Sequence, residues 1–325
     1  MTKPLNLKFS LIIATVAFLA SCMLSVGGVD GFLVAYAQTV ESKDDRLPTH
    51  SVASDEVRFA AVGDTGSGGS QQYAVAQQME ATQKLTGFDL TLFLGDNIYP
   101  SGDPSGIEKK FLKPYRSLIQ NGVEMRGCIG NHDAESDSGV LLQQMIFRMG
   151  TKTYYSFERN KKLVEFFCLD SNLLLRPAGD RQREEQLNWF DSSLARSEAS
   201  WKVIFLHHPL YSSAKKHGWN SSDENEMQQV RESIEPMLRK HRVDFVLSGH
   251  DHVYERPIPQ FGIHYFTSGS GGKLRQGDLI KTSPFYAFGN DRENSFMLFS
   301  ITPQATKFWA VGKTGAILDS GEIKK

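Results

Sequence analysis

Five short blocks of this 325-residue chain place carboxylate, amide or imidazole side chains directly after apolar runs. They are Gly63-Asp64-Thr65-Gly66, Gly95-Asp96-Asn97-Ile98-Tyr99, Gly130-Asn131-His132-Asp133, His207-His208-Pro209 and Gly249-His250-Asp251-His252. Oxygen and imidazole donors of this kind suit hard and borderline metal ions. Any one block says little, and Gly63-Asp64-Thr65-Gly66 is a good turn sequence in its own right. All five together point to one site assembled from separate loops.

Such a site needs elements that deliver the blocks to one edge of the fold. Short β-rich apolar runs recur at residues 57–62, 90–94, 123–129, 163–169, 201–206, 243–247, 263–267, 296–301 and 307–311. Between several of them lie helix-like stretches at 71–84, 107–119, 183–197 and 222–241. This alternation, with a β-rich end, predicts an α/β fold with two stacked sheets and helices outside. In such folds ligand sites gather at the carboxyl ends of strands, which is where the five blocks fall. The run Ser268-Gly269-Ser270-Gly271-Gly272 lacks the Lys-Ser/Thr ending of a phosphate-binding P-loop and reads as a turn closing the sheet.

Composition narrows the function classes. The hydrophobic content of 40% and charged content of 22% are ordinary for a globular protein. A net charge of −1 gives no sign of the basic balance of a nucleic-acid binder. Lys3 and Lys8 before the apolar residues 9–20 form the pattern of an export signal. Two endings compete: cleavage before Cys22, which would then carry a lipid anchor, and cleavage after Ala37. An uncleaved membrane anchor is the third possibility, and all three place the domain outside the cytosol, in the periplasm or beyond. The organisation expected is a leader over 1–37, a polar linker or flexible arm over 38–55 and one domain over 56–325. Cys128 and Cys168 lie in apolar runs and read as buried thiols, although an oxidising compartment would permit a disulfide.

At the five blocks the chain resembles the calcineurin-like metallophosphoesterases, and among them the small, tartrate-resistant, single-domain type of purple acid phosphatase. The resemblance runs from Val57 to Pro257, including His250-Asp-His-Val-Tyr-Glu-Arg-Pro257. It implies an α/β/β/α architecture of two stacked mixed sheets flanked by helices, and a dinuclear centre. Asp64, Asp96, Tyr99 and His252 would hold the first metal, Fe(III). Asp96 as a bridge, with Asn131, His207 and His250, would hold the second, Fe(II), Zn(II) or Mn(II). Many relatives carry Gly-Asp-x-His in the first block; here Gly66 stands in place of that histidine, and Tyr99 follows the bridging Asp96 by three residues. That exchange is the mark of the purple type.

The family pattern His-x-Pro selects His207 over His208, leaving His208 as a buried neighbour. Asp251 is expected to point away from the metals, and Asp133 to orient His132 or a nearby loop. His132 and His217, the latter in a His217-Gly218 pair resembling one in the small purple phosphatases, are the acid–base candidates. His50, His241 and His264 read as structural or surface groups. The activity implied is hydrolysis of phosphate monoesters by metal-activated water with an acidic optimum, releasing inorganic phosphate, by a monomer that binds no nucleic-acid polymer. A phosphodiesterase or nucleotidase on the same site, and a non-catalytic surface-binding protein, are the alternatives.

Overall fold

The run from Val57 to Val62 is buried at every position, although alternate side chains of a strand point to opposite faces. The computed structural model, which describes residues 46–325, shows why: both faces of the strand are covered. Chain order runs β1 (Val57–Val62), α1 (Ser70–Thr86), β2 (Leu90–Leu94), α2 (Arg116–Gln120), β3 (Glu124–Cys128) and α3 (Asp137–Phe147). It continues through β4 (Tyr155–Arg159), β5 (Val164–Cys168), α4 (Ser171–Leu174), α5 (Arg181–Arg196), β6 (Trp201–Phe205), α6 (Glu224–Lys240) and β7 (Phe245–Ser248). The remaining elements are β8 (Tyr254–Pro257), β9 (His264–Ser268), β10 (Tyr286–Asn290), β11 (Ser295–Ile301), β12 (Ala305–Gly312) and β13 (Ile317–Lys324).

A six-stranded sheet has the order β13-β12-β11-β1-β2-β3, and a seven-stranded sheet the order β10-β8-β9-β7-β6-β5-β4. Both are mixed. The segments β1-β2-β3 and β5-β6-β7-β9 are parallel, and the flanking strands are antiparallel. Phe59, Ala61, Leu92 and Leu94 of one sheet meet Phe166, Val203, Phe205 and Leu247 of the other in an inner core. The alternate residues Ala60, Val62 and Phe93 pack outward on Val75, Met79 and Phe147. Likewise Phe167, Ile204 and Leu206 pack on Phe190, Leu194, Ile234 and Leu238. Buried on both faces, the central strands are apolar throughout, as parallel strands under helices must be. The layers are α/β/β/α.

Two local expectations differ from the structure. The stretch 107–119 is not one helix: a wide turn over Glu108–Leu112 gives way to α2, with Pro114 between them lacking an N–H to donate. Residues 46–55 have no regular structure, yet they are tied down. Arg58 Nη1 donates to the carbonyls of His50 at 2.8 Å and Thr86 at 2.6 Å, and Leu47 packs on the outer core. The leader and its two cleavage points lie outside the described residues, as does the rest of the arm. Among the described residues no helix is long and apolar enough to cross a membrane. Cys128 and Cys168 are buried and unpaired.

Phe59 stacks on Phe299 with centroids 4.9 Å apart and meets Phe166 of the facing sheet edge-on at 5.1 Å. Phe59→Ala should therefore cost about 3–5 kcal/mol in urea unfolding; a loss below about 1 kcal/mol would mean that the two sheets are not closely packed there. A second consequence concerns acid. Burial, with the charge of Arg256 adding to it, pushes the His264 imidazole down to about 4. The unfolded ring takes its proton below about 6.5, so between those values the unfolded chain binds more protons. Stability is then lost as pH falls from 6.5 towards 4. In His264→Asn, the drop in unfolding free energy between pH 7 and 4.5 should shrink by roughly 2 kcal/mol; an unchanged drop would contradict this.

Candidate metal centre

Each of the five blocks leaves the carboxyl end of a different strand: β1, β2 and β3 from one sheet, β6 and β7 from the other. Their backbones must approach closely for the side chains to meet. Gly95 has φ +88°, and a Cβ there would stand 2.5 Å from His207 Nδ1. A Cβ on Gly130 would stand 2.1 Å from Asp96 Oδ1. No other residue fits either position. Gly66 is equally constrained: a Cβ would lie 2.3 Å from the Asn97 carbonyl, while Gly66 O accepts from the Tyr99 N–H at 3.0 Å. The space a side chain at 66 would need is thus filled by the backbone of the loop that brings in Tyr99.

The structure brings all seven expected donors together. Tyr99 Oη donates to Asp64 Oδ1 at 3.0 Å and lies 3.2 Å from His252 Nε2, which is itself 3.4 Å from Asp64 Oδ1. Beside this group, His207 Nε2 lies 3.0 Å from Asn131 Oδ1, 3.2 Å from His250 Nδ1 and 3.5 Å from Asp96 Oδ1. Ligand atoms of Asp64, Asp96 and His207 all fall within 4.8 Å of one another. Asp96 and His207 therefore link the two groups.

The donor set fits cations on its own chemistry. His207 Nδ1 sits 2.8 Å from the Leu94 carbonyl, which fixes the proton on Nδ1 in the neutral ring and leaves Nε2 as a lone pair facing Asn131 Oδ1. His250 Nε2 is buried with no hydrogen-bond partner. Burial, with the charge of Asp96 adding to it, holds the Asp64 carboxyl well above the usual range. Burial and the neighbouring carboxylate of Asp64 push the Tyr99 phenol up. Burial takes His250 down strongly, and His252 down to about 3 with help from Arg275. Lone pairs crowded in a dry site are unfavourable until positive charge enters among them.

The remaining candidates surround this cluster. His132 is half-exposed on its open side; its ring meets Tyr99 at 4.8 Å, its Nδ1 contacts the Pro100 carbonyl, and its Nε2 is 4.0 Å from Asp96 Oδ2. His217 lies with its ring 4.3 Å from that of His250 and its Nδ1 3.1 Å from Asp223 Oδ2. Burial, reinforced by Lys216 and Arg275, pushes it down to about 4. His208 is buried, its Nδ1 2.7 Å from Ser171 Oγ and its ring 4.5 Å from His250.

Of the two roles expected of Asp133, orienting His132 or a nearby loop, the hydrogen bonds show the loop. Asp133 is fully buried and accepts from the N–H groups of Asn97, Ile98 and Gly130, each at 3.1 Å, tying the second block to the third. Asp251 is buried and accepts from Ser212 Oγ at 2.5 Å. His50 and His241 lie on Arg58 and Asp191, away from the cluster. Sequence reasoning passed over Lys273 and Arg275: Lys273 Nζ stands 4.6 Å from the centroid of the Tyr99 ring, and the Arg275 N–H donates to His252 O at 3.0 Å. Their position just after a glycine run was the only signal available.

A sequence profile of the calcineurin-like phosphoesterases matches residues 57–254. Purple acid phosphatase 7 of Arabidopsis thaliana is 25% identical over 315 residues, covering 87% of this chain and 92% of that protein. Tartrate-resistant acid phosphatase type 5 of Sus scrofa is 24% identical over 311 residues, covering 84% and 88%. The purple acid phosphatase PPD1 from yellow lupin (Lupinus luteus) seeds superposes with a TM-score of 0.69 at 19% identity, over 86% of this chain and 55% of that one. The chain belongs to the calcineurin-like phosphoesterase family and is related within it to the purple acid phosphatases.

Proposed function

We propose that the chain is an exported acid phosphatase that hydrolyses phosphate monoesters at a dinuclear metal centre. The observation that carries this is the contact of Tyr99 Oη with both Asp64 Oδ1 and His252 Nε2, in a chain whose Gly66 has no room for a histidine. Asp64, Asp96, Tyr99 and His252 would hold one cation. Asp96, Asn131, His207 and His250 would hold the other. Phenolate and carboxylate oxygens favour Fe(III) on the first side, and imidazoles favour Fe(II), Zn(II) or Mn(II) on the second. Export rests on the leader pattern before residue 38.

Held by these donors, two cations would supply attraction for phosphate oxygens and acidity to bound water. The chain's own residues do the rest. The Leu94 carbonyl fixes the His207 tautomer. His132, on the open side with its ring anchored at Pro100 O, is placed to hand a proton to the departing oxygen. His217 is packed between His250 and Asp223. Burial and two cationic neighbours push its pKa down, and beside His250 it would hydrogen-bond substrate.

The metal-loaded protein should hydrolyse p-nitrophenyl phosphate at least about tenfold faster than bis(p-nitrophenyl) phosphate, with kcat/KM highest below pH 7. His132→Ala should lower kcat by roughly 100-fold on an alkyl ester such as β-glycerophosphate. A faster rate on the diester would make the protein a phosphodiesterase. No hydrolysis of either ester by the loaded protein would leave it a binding protein.

A further inference from the structure

The helices outside the six-stranded sheet leave an apolar face uncovered. α3 buries Leu142, Gln143 and Phe147 on its inner side. The helical period then turns Leu141 and Met145, four residues apart, away from the core together. They are 59% and 77% exposed. Ile146, next to Met145, carries this face into a groove of about 560 Å³ lined also by Phe111, Leu112, Ile119, Val123 and Met125. Phe111 is buried against Phe147, with ring centroids 5.6 Å apart, while Leu112 and Ile119 are exposed. Large apolar side chains gathered on one face differ from the scattered ones of an ordinary surface, and such a face marks a contact.

The uncompensated charge around the groove is positive. Arg148 lines it and Lys113 follows Leu112 directly; both are exposed, and among the described residues neither has a carboxylate partner. Glu124, the carboxylate in the lining, is held by Arg126 and Arg159, and Glu108 by Arg116 at 2.9 Å. Asp137, one turn before Leu141, sits at the N-terminal end of α3, where the helix dipole offsets its charge. An apolar face edged by unpaired lysine and arginine complements a bilayer surface that carries anionic lipids. A second copy of the chain would present the same cations and set like charges against each other. The leader points the same way. Two of its three endings, a lipid on Cys22 and an uncleaved anchor, keep the chain tied to a membrane, and a basic or apolar second contact strengthens such a tie.

We propose that the face formed by Leu112, Ile119, Leu141 and Met145, with Lys113 and Arg148 at its edges, rests on an anionic lipid surface. Leu141 and Met145 enter the boundary between headgroups and acyl chains, and the groove takes up part of a lipid tail. Lys113 and Arg148 meet headgroup phosphates. The proposal stands apart from the phosphatase reading, because none of these residues belongs to the metal centre.

The test is hydroxyl-radical footprinting of the full chain, read by mass spectrometry as oxidation of Leu141 and Met145 relative to Phe261, which is 61% exposed and lies between β8 and β9. It is run on the protein alone, dilute and concentrated, then with phosphatidylcholine vesicles and with equimolar phosphatidylcholine and phosphatidylglycerol. Both residues should be protected on the anionic vesicles and remain reactive on phosphatidylcholine. Lys113→Gln combined with Arg148→Gln should raise the lipid concentration giving half protection roughly 30-fold. Leu141→Ser combined with Met145→Ser should raise the concentration that half protects Ile119, with thermal unfolding as the fold control for both variants. A retained leader is the same in every variant and cannot produce these shifts. No protection on anionic vesicles, or protection that ignores the two charge substitutions, would overturn the proposal. So would protection in the concentrated protein alone, which would assign the face to a second copy, or in the dilute protein, which would assign it to the residues before Arg46.

Discussion

Lone pairs and negative charges buried at close quarters repel one another, and at this site they meet from five strands. Asp64, Asp96 and His207 bring ligand atoms within 4.8 Å of one another. At an effective dielectric near 20, two carboxylates at such a distance oppose each other by on the order of 3 kcal/mol. The fold sustains this arrangement because its central strands are buried on both faces and cannot relax away. Inner-core phenylalanines join the sheets, while the outer helices press on the opposite sides of the same strands. Rigid strands ending side by side hold the donors in place, and cations bound there would remove the repulsion.

Close approach is achieved by omission of side chains. Gly95 and Gly130 leave room for His207 and Asp96. Gly66 yields its space to the peptide that carries Tyr99 into the site. Glycine at 66 and tyrosine at 99 are therefore two sides of one local arrangement. Asp133 locks the second and third blocks together by accepting from three backbone N–H groups, so it serves the site without touching substrate.

The central strands and the donor blocks were legible because burial on both faces makes each strand an unbroken apolar run ending at a glycine. The edge elements were not. β4 carries Glu158 and Arg159, and β8 is Tyr254-Glu-Arg-Pro257. Glu255 is buried there with the Ser213 N–H donating to its carboxylate, a partnership that no local pattern reveals. α3 went unseen behind its Ser136 cap. The same limit applied beside the site: the Gly272 N–H binds Asp64 O and the Arg275 N–H binds His252 O, between residues far apart in the chain.

The central claim is that Asp96, shared by the two donor groups, joins two cation sites into one centre. Elemental analysis of the purified protein and of Asp96→Asn, each equilibrated with iron and zinc and freed of loose metal, tests it most directly. Two metal equivalents per chain in the wild type, falling to one or fewer in the variant, is the predicted result. A wild type that retains at most one equivalent, or a variant that still holds two, would contradict the account.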